Sequence, residues 1–385
     1  MKIGILTYCQ TQDNYGQVLQ CYALQSVLRG MGHEPYVINY DSENGINNAS
    51  LMKRFARLLL YPIYIRRKRR REKEKEARRQ QMAVRHFDEF RHKHFTFSDK
   101  FYENLKALRV APPQADCYIA GSDQLWGRLL SNPENEVYFL AFGGDIRRVA
   151  YSCSFGMKEY PQELRLKLKK NLERFHKVSC REYDGVAICA DLGIDAKKTL
   201  DPTLIANTDI YRSLIEKSPY NCDYAYIYSL NISQPSELRW SELCSYIEGE
   251  SLKPIVTIGS GYIEGKEIYV DVTYSYATVE QWLTNIAHAR FVVTTSFHGI
   301  VFCILVHRPF VYVPLSGKFA AANNRALDLL NDLRLNDRVL IDETTFASIL
   351  SNNIDWKEAE SCLKSLQVES LEYLRTSLMS TRYEQ

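Results

Sequence analysis

The chain has 385 residues, a length that suits two domains with full cores better than one. Hydrophobic residues make up 45% and charged residues 25%, the balance of a soluble globular protein, and no run of about 18 apolar residues is present to form a transmembrane helix. The net charge of +3 is uneven: residues 53–79 carry 13 Lys/Arg against three Glu, a local net of +10, which leaves the remainder near −7.

"KIGILTY" predicts a first strand, and its break at polar residues argues against a signal peptide. "GQVLQCYALQSVLRGMG" predicts an amphipathic helix stopped by Gly30 and Gly32, and "PYVINY" a second strand. This β-α-β opening favours a parallel sheet with a right-handed crossover. A basic helical insertion at about 50–95 follows. Its "RFARLLLYPIYIRRKRRR" mixes apolar and aromatic residues with dense positive charge, and "EKEKEARR" fits a solvated helix held by Glu/Lys and Glu/Arg pairs. Two readings stand for this segment, a solvated helical excursion or an interfacial patch on anionic lipid. The apolar stretch Leu59–Ile65 and the absence of a nucleic-acid-binding fold weigh against nucleic acid.

The apolar runs "DCYIAG", "RVAYSCSFG", "KVSCRE" and "KKTLDPTLI" continue the first domain, 1–205, and the last run ends at Asp201-Pro202. Residues 206–222 are polar and read as a linker. A second alternation, 223–350, runs through "YAYIYSL", "KPIVTIGSG", "RFVVTT" and "PFVYVP" with helices between, and 351–385 reads as a terminal helix. Within it, "TVEQWLTNIAHA" places Thr278 and Gln281 in capping-box spacing, and "IVFCILV" reads as a buried helix ended before Pro309. The expected fold is α/β, two Rossmann-like doubly wound domains facing a cleft in a GT-B-like arrangement, with a C-terminal helical segment. Ten cysteines are scattered with no C-x-x-C pair, which argues for reduced cytosolic thiols and against a metal site.

In doubly wound sheets, ligands bind off the carboxyl ends of the strands. That rule gathers Asp13, Asn14, Asp123, Ser154, Arg181, His298 and Lys318 at one cleft. "DNYG" offers either an anion or hydroxyl site at Gly16 or a plain N-cap turn, and "GSDQLW" either a strand-end acid or a helix cap. Arg181 ends an apolar strand, where an unpaired guanidinium is costly. It therefore pairs with Glu182 or Asp201, or it binds a carboxylate or phosphate bidentately. In "VVTTSFHGIVF", His298 falls where a strand stops and a helix begins, open to a core reading or an acid/base reading. No G-x-G-x-x-G, G-x-x-x-x-G-K-[ST] or G-x-S-x-G motif is present, which weakens dinucleotide, P-loop and serine-hydrolase readings.

"KIGILTYCQTQDNYGQVLQCYALQ", "YIAGSDQLW", "YSCSFG", "SCREYDG…DPTLI" and "FVVTTSFHGIVFCILVHRPFV", in that order, resemble the polysaccharide pyruvyl transferases. The resemblance covers roughly residues 1–330. It implies two Rossmann-like domains and transfer of a pyruvyl ketal from phosphoenolpyruvate, as co-substrate with no other cofactor, to two hydroxyls of a hexose. The acceptor implied is a surface or capsular polysaccharide precursor, often lipid-linked, met in the cytoplasm at the inner face of the membrane. By position His298 matches the family histidine of the phosphoenolpyruvate site, and Arg181 a basic residue that holds the donor. Where some members carry Arg, this chain has Ser296, which moves the balance of donor charge to Lys318 or Arg325. The expected donor contacts are thus Arg181, Ser296, Phe297, Gly299, Lys318 and Arg325. His298 is the expected acid and Asp123 the group that orients or deprotonates a sugar hydroxyl. Asp13, Asn14, Tyr15, Gly16, Gln124, Trp126 and Ser154 are the expected acceptor contacts, and no metal is expected. The competing readings are a GT-B glycosyltransferase using a nucleotide sugar and a non-catalytic glycan-binding scaffold.

Overall fold

The computed structural model describes residues 1–40, 80, 82–259 and 267–379; the basic stretch 53–79 lies outside them, and of the expected insertion the helix Phe87–His94 is described. Seven strands build the first sheet: β1 (Lys2–Leu6), β2 (Glu34–Tyr40), β3 (Phe97–Tyr102), β4 (Cys117–Asp123), β5 (Arg147–Cys153), β6 (Lys177–Cys180) and β7 (Ala196–Lys198). Their order is β3-β2-β1-β4-β5-β6-β7, with every pairing parallel. The second sheet holds β8 (Tyr224–Ser229), β9 (Lys253–Ile258), β10 (Thr273–Tyr274), β11 (Phe291–Thr294) and β12 (Phe310–Tyr312). Its order is β10-β9-β8-β11-β12, again all parallel. Each sheet reverses its winding once, between β1 and β4 and between β8 and β11. Crevices for ligands open at such points, off the strand carboxyl ends.

The central strands are buried on both faces, which is why they read as continuous apolar runs. The polar edge strand β3, "FSDKFY", is mostly exposed and escapes a search for apolar runs. "KKTLDPTLI" proves to be two elements. β7 ends at Lys198, and Asp201 then caps a short helix, Pro202–Ile205, through its side chain, with proline at the first helical position. The polar interval 206–222 also carries structure, the helix Asp209–Arg212. Tyr211 and Leu214 are buried there, and the Tyr211 hydroxyl donates to the Thr203 carbonyl at 3.1 Å.

The first and last long helices both help to tie the halves together. The helix Tyr15–Gly30 of the first half sends Tyr15 into the second, where its ring stacks on Trp282 at 5.0 Å and its hydroxyl donates to the Ala277 carbonyl at 2.7 Å. The last helix, Trp356–Leu378, returns to the first sheet. Ser370 Oγ accepts from the Leu200 amide at 2.9 Å, Gln367 Nε2 donates to the Leu204 carbonyl, and Arg147 Nε donates to the Ser377 carbonyl. One apolar core therefore runs through both halves. Trp282→Ala removes the largest side chain of that seam and is expected to cost about 3–5 kcal/mol of unfolding free energy, read from urea titration. A loss below about 1 kcal/mol would show that this stack does not join the halves.

Candidate active site

β11 stops at Thr294, and Ser296 caps the next helix, Phe297–Leu305, its Oγ accepting from the Gly299 amide at 3.3 Å. His298 is the second residue of that helix, and the residues around it are buried, so the helix start is held firmly. Two glycines let the junction close. A Cβ on Gly299 would stand 2.4 Å from Thr294 Oγ1, and one on Gly16 would stand 2.0 Å from His298 Nδ1. The start of the first helix thus lies directly against the imidazole of the opposite domain.

Behind His298 lies a buried charge cluster. The Arg181 side chain is 2% exposed and that of Asp201 0%. Arg181 Nη1 stands 3.5 Å from Asp201 Oδ2, and Nη2 stands 3.6 Å from Asp123 Oδ1 and donates to Ser122 Oγ at 3.0 Å. Ser122 Oγ in turn donates to Asp201 Oδ2 at 2.9 Å, while the Thr203 amide and hydroxyl donate to Oδ1 at 3.0 and 2.6 Å. His298 Nε2 is 3.7 Å from the same Oδ2, too long for a hydrogen bond but close for a charge contact. Burial pushes the Asp201 carboxyl up, but the charges of Arg181 and His298 outweigh it and hold the group well below the usual carboxylate range.

The neighbouring acid behaves differently. Glu182 Oε1 accepts from the Phe155 and Gly156 amides at 3.0 and 3.4 Å, and burial pushes its carboxyl up against the pull of Arg181. Arg325, from the helix Asn324–Asp332, has its Nε buried with no hydrogen-bond partner among the described residues. Burial, with the Arg181 charge beside it, pulls Arg325 below the usual guanidinium value despite Asp123 and Glu182. The Phe297 ring lies close to both cations, 5.1 Å from the Arg181 guanidinium and 5.8 Å from that of Arg325.

Of these groups Asp123, Phe297, His298 and Arg325 border an open cleft of about 1240 Å³ between the two winding reversals. Asp13, Asn14, Asp123 and Gln124 line it from the first domain, and Ser296, Phe297, His298, Lys318 and Arg325 from the second. A cleft with an imidazole backed by a carboxylate, and a guanidinium short of counter-charge, is suited to holding an anion and moving a proton beside it.

The family model for polysaccharide pyruvyl transferases matches residues 14–317, most of the chain. The chain belongs to the polysaccharide pyruvyl transferase family. No curated protein matches it. Among solved structures it is similar to a putative UDP-N-acetylglucosamine 2-epimerase from Listeria monocytogenes, at 9% identity and TM-score 0.51, with 100% of this chain and 92% of that one covered. The UDP-N-acetylglucosamine 2-epimerase from Rickettsia bellii is similar at 10% identity and TM-score 0.51, covering 98% and 99% of the two chains. That likeness, at such low identity, is one of fold: a GT-B-like pair of parallel α/β domains.

Six of the expected site residues, Arg181, Trp126, Tyr15, Gly16, Gly299 and Ser154, do not line this cleft. Arg181 does not line the cleft; its charge is already met by Asp201 and Asp123. Trp126 is fully buried, stacked on Phe139 with its Nε1 donating to the Tyr138 carbonyl, because the chain turns inward after Gln124. Tyr15 is spent on the domain seam, and Gly16 and Gly299 serve as close-approach points rather than ligand contacts. Ser154 is buried, its Oγ accepting from the Gly156 amide, and it borders a small side pocket with Glu182 and Arg325 instead of the main cleft. Asn14 is an N-cap, accepting from the Gln17 amide at 3.2 Å, while also lining the cleft.

Other contributors were not singled out. Tyr8, Arg128, Tyr138, Asn231 and Thr295 also line the cleft, and Asp201 backs His298 as well as Arg181. The Asp-Pro pair after a strand was the signal for Asp201 as a cap; nothing local pointed to its second partner.

Asp201→Asn leaves Arg181 under-compensated in the interior and is expected to cost about 3–5 kcal/mol. Because folding depresses the Asp201 pKa, its stabilisation is complete above the unfolded value of ~3.9 and is lost as pH falls below it. Chemical unfolding of the wild type below about pH 4 should therefore weaken more steeply than that of Asp201→Asn; parallel curves would remove this role. Gly16→Ala should displace the imidazole and shift the His298 ring resonances in NMR spectra with the fold retained, and unmoved resonances would contradict the contact.

Proposed function

We propose that the chain is a ketal pyruvyltransferase that uses phosphoenolpyruvate to form a pyruvyl ketal on a hexose of a surface or capsular polysaccharide precursor. The observation that carries this reading is His298, which lines the cleft with Asp201 behind it, next to Phe297, whose ring lies 5.8 Å from the Arg325 guanidinium. Arg325, Lys318 and the first amides of the Phe297–Leu305 helix hold the donor carboxylate and phosphate. The Asp201 carboxylate stands 3.7 Å behind the His298 ring, and a bound polyanion would add negative charge on its cleft side. His298 then protonates the donor methylene, turning CH₂ into CH₃ and leaving an oxocarbenium-like carbon.

One sugar hydroxyl attacks that carbon and gives its proton to Asp123. A second hydroxyl displaces phosphate, its proton returning to the His298 ring, and the ketal closes. The products are the ketal and inorganic phosphate, and Asp123 passes its proton to solvent. No cofactor beyond the co-substrate enters these steps. A lipid-linked acceptor would bring the basic stretch 53–79 against the anionic cytoplasmic leaflet, each Lys/Arg adding ~1 kcal/mol near the surface.

The test is phosphate release from phosphoenolpyruvate in the presence of a panel of hexosides, with the ketal identified by NMR. His298→Asn should lower turnover by about 10²–10⁴ while circular dichroism stays native. Near-normal turnover in that variant would refute the acid role, and no phosphate release with any hexoside would refute the activity.

A further inference from the structure

The side pocket beside the cleft holds an acid that the reaction scheme does not use. Glu182 stands at the start of the helix Tyr183–Ala190, yet its side chain does not cap that helix. It turns instead to the loop after β5, where Oε1 accepts from the Phe155 and Gly156 amides. The other oxygen, Oε2, is buried with no hydrogen-bond partner among the described residues. Arg325 lines the same side pocket, and its Nε is likewise buried and unpartnered. The pocket has no space for a water molecule, so the two groups answer to each other's charge rather than to solvent.

The charges around Glu182 give its proton a role. Arg181 and Arg325 are the cations beside it, and burial pushes its carboxyl up against the pull of both. Asp123 and Asp201 are the acids already paired with Arg181. Asp184, half-buried on the same helix as Glu182, accepts from the Asn324 side chain. The Cys153 and Cys180 thiols of β5 and β6 lie close by and stay neutral. Burial pushes Cys153 well up, and the Cys189 thiol together with burial does the same to Cys180. With Glu182 ionised, Asp123, Asp201 and Glu182 outnumber Arg181 and Arg325 by one charge; with it protonated, the two signs balance. A polyanion arriving at Arg325 therefore meets one negative charge too many, and a proton on Glu182 removes it. By linkage, an anion that binds better to the protonated form must raise the proton affinity of Glu182 once bound.

We propose that Glu182 is a positioning residue that acts through Arg325, setting the charge of the donor corner: ionised while the corner is empty, it takes up a proton from solvent when the donor anion binds and returns it when the anion leaves. The choice of phosphoenolpyruvate as that anion rests on the pyruvyltransferase reading; the proton uptake does not. The measurement is infrared difference spectroscopy on the full chain, with and without phosphoenolpyruvate and, in parallel, with sulfate, which has no proton to give near neutral pH.

Either anion should produce the C=O stretch of a protonated carboxyl in the wild type. Carbon-13 labelling of glutamate carboxyls should shift that band, which separates Glu182 from Asp123 and Asp201. Glu182→Gln keeps an oxygen for the Phe155 and Gly156 amides and should lack the band. As pH rises, wild-type affinity for sulfate should fall by up to about tenfold per pH unit relative to Glu182→Gln, and the two should agree in acid. No band with either anion, a band unmoved by the glutamate label or kept in Glu182→Gln, or affinities that run parallel with pH would overturn the proposal. A sulfate-induced Glu182 band in a protein that neither binds nor consumes phosphoenolpyruvate would leave Glu182 in this role and sink the pyruvyltransferase reading.

Discussion

The structure turns on one buried cation. Arg181 brings a permanent charge into the place where the first sheet meets the second domain, and an uncompensated guanidinium there would cost several kcal/mol. Its compensation dictates the surroundings: Asp201 on one side, Asp123 on the other and the Ser122 hydroxyl between them. Asp201 can serve because it is also fixed as the cap of the Pro202–Ile205 helix. That carboxylate then presents its second oxygen to His298 from the other domain. A structural ion pair and the chemistry of the cleft share the same oxygen atom.

The same economy appears at the seam. Gly16 leaves room for the His298 ring, and its neighbour Tyr15 crosses to stack on Trp282. The terminal helix returns across the domains to bond the Leu200 amide, immediately beside Asp201. Elements distant in sequence are therefore packed around the residue that orients the imidazole. The pairing of the two domains is built into the cleft itself, since neither domain alone holds both His298 and its carboxylate. The GT-B-like arrangement shared with the epimerases supplies the two facing crevices; what fills them here is particular to this chain.

Much of the fold is legible in the sequence because parallel strands buried on both faces leave dense apolar runs, and caps leave short polar signatures. Thr278 with Gln281 forms the expected capping box, and the helix that carries His298 ends at Leu305, ahead of Pro309. The exposed edge strand β3 left no such trace. The site was legible in outline, as a set of strand ends, and less so in detail. A strand end marks where a side chain emerges but not which way it turns. Trp126 and Tyr15 turn into cores, whereas Tyr8 and Arg128, no more conspicuous in the sequence, border the cleft.

By itself the sequence determined two parallel α/β halves, a histidine at a strand-to-helix junction, and a family carried by motifs spread along most of the chain. Periodicity, capping and spacing are local properties, and local forces act on them directly. Only the tertiary structure decided that Arg181 is held by carboxylates away from the cleft lining, that Asp201 serves both it and His298, and that Arg325 lines the cleft instead. Those outcomes depend on which groups meet after folding, across separations of 20 residues for Arg181 and Asp201, 59 for Arg181 and Ser122, and 97 for Asp201 and His298. Charge compensation in a buried site is settled by proximity in space, and no run of neighbouring residues records it.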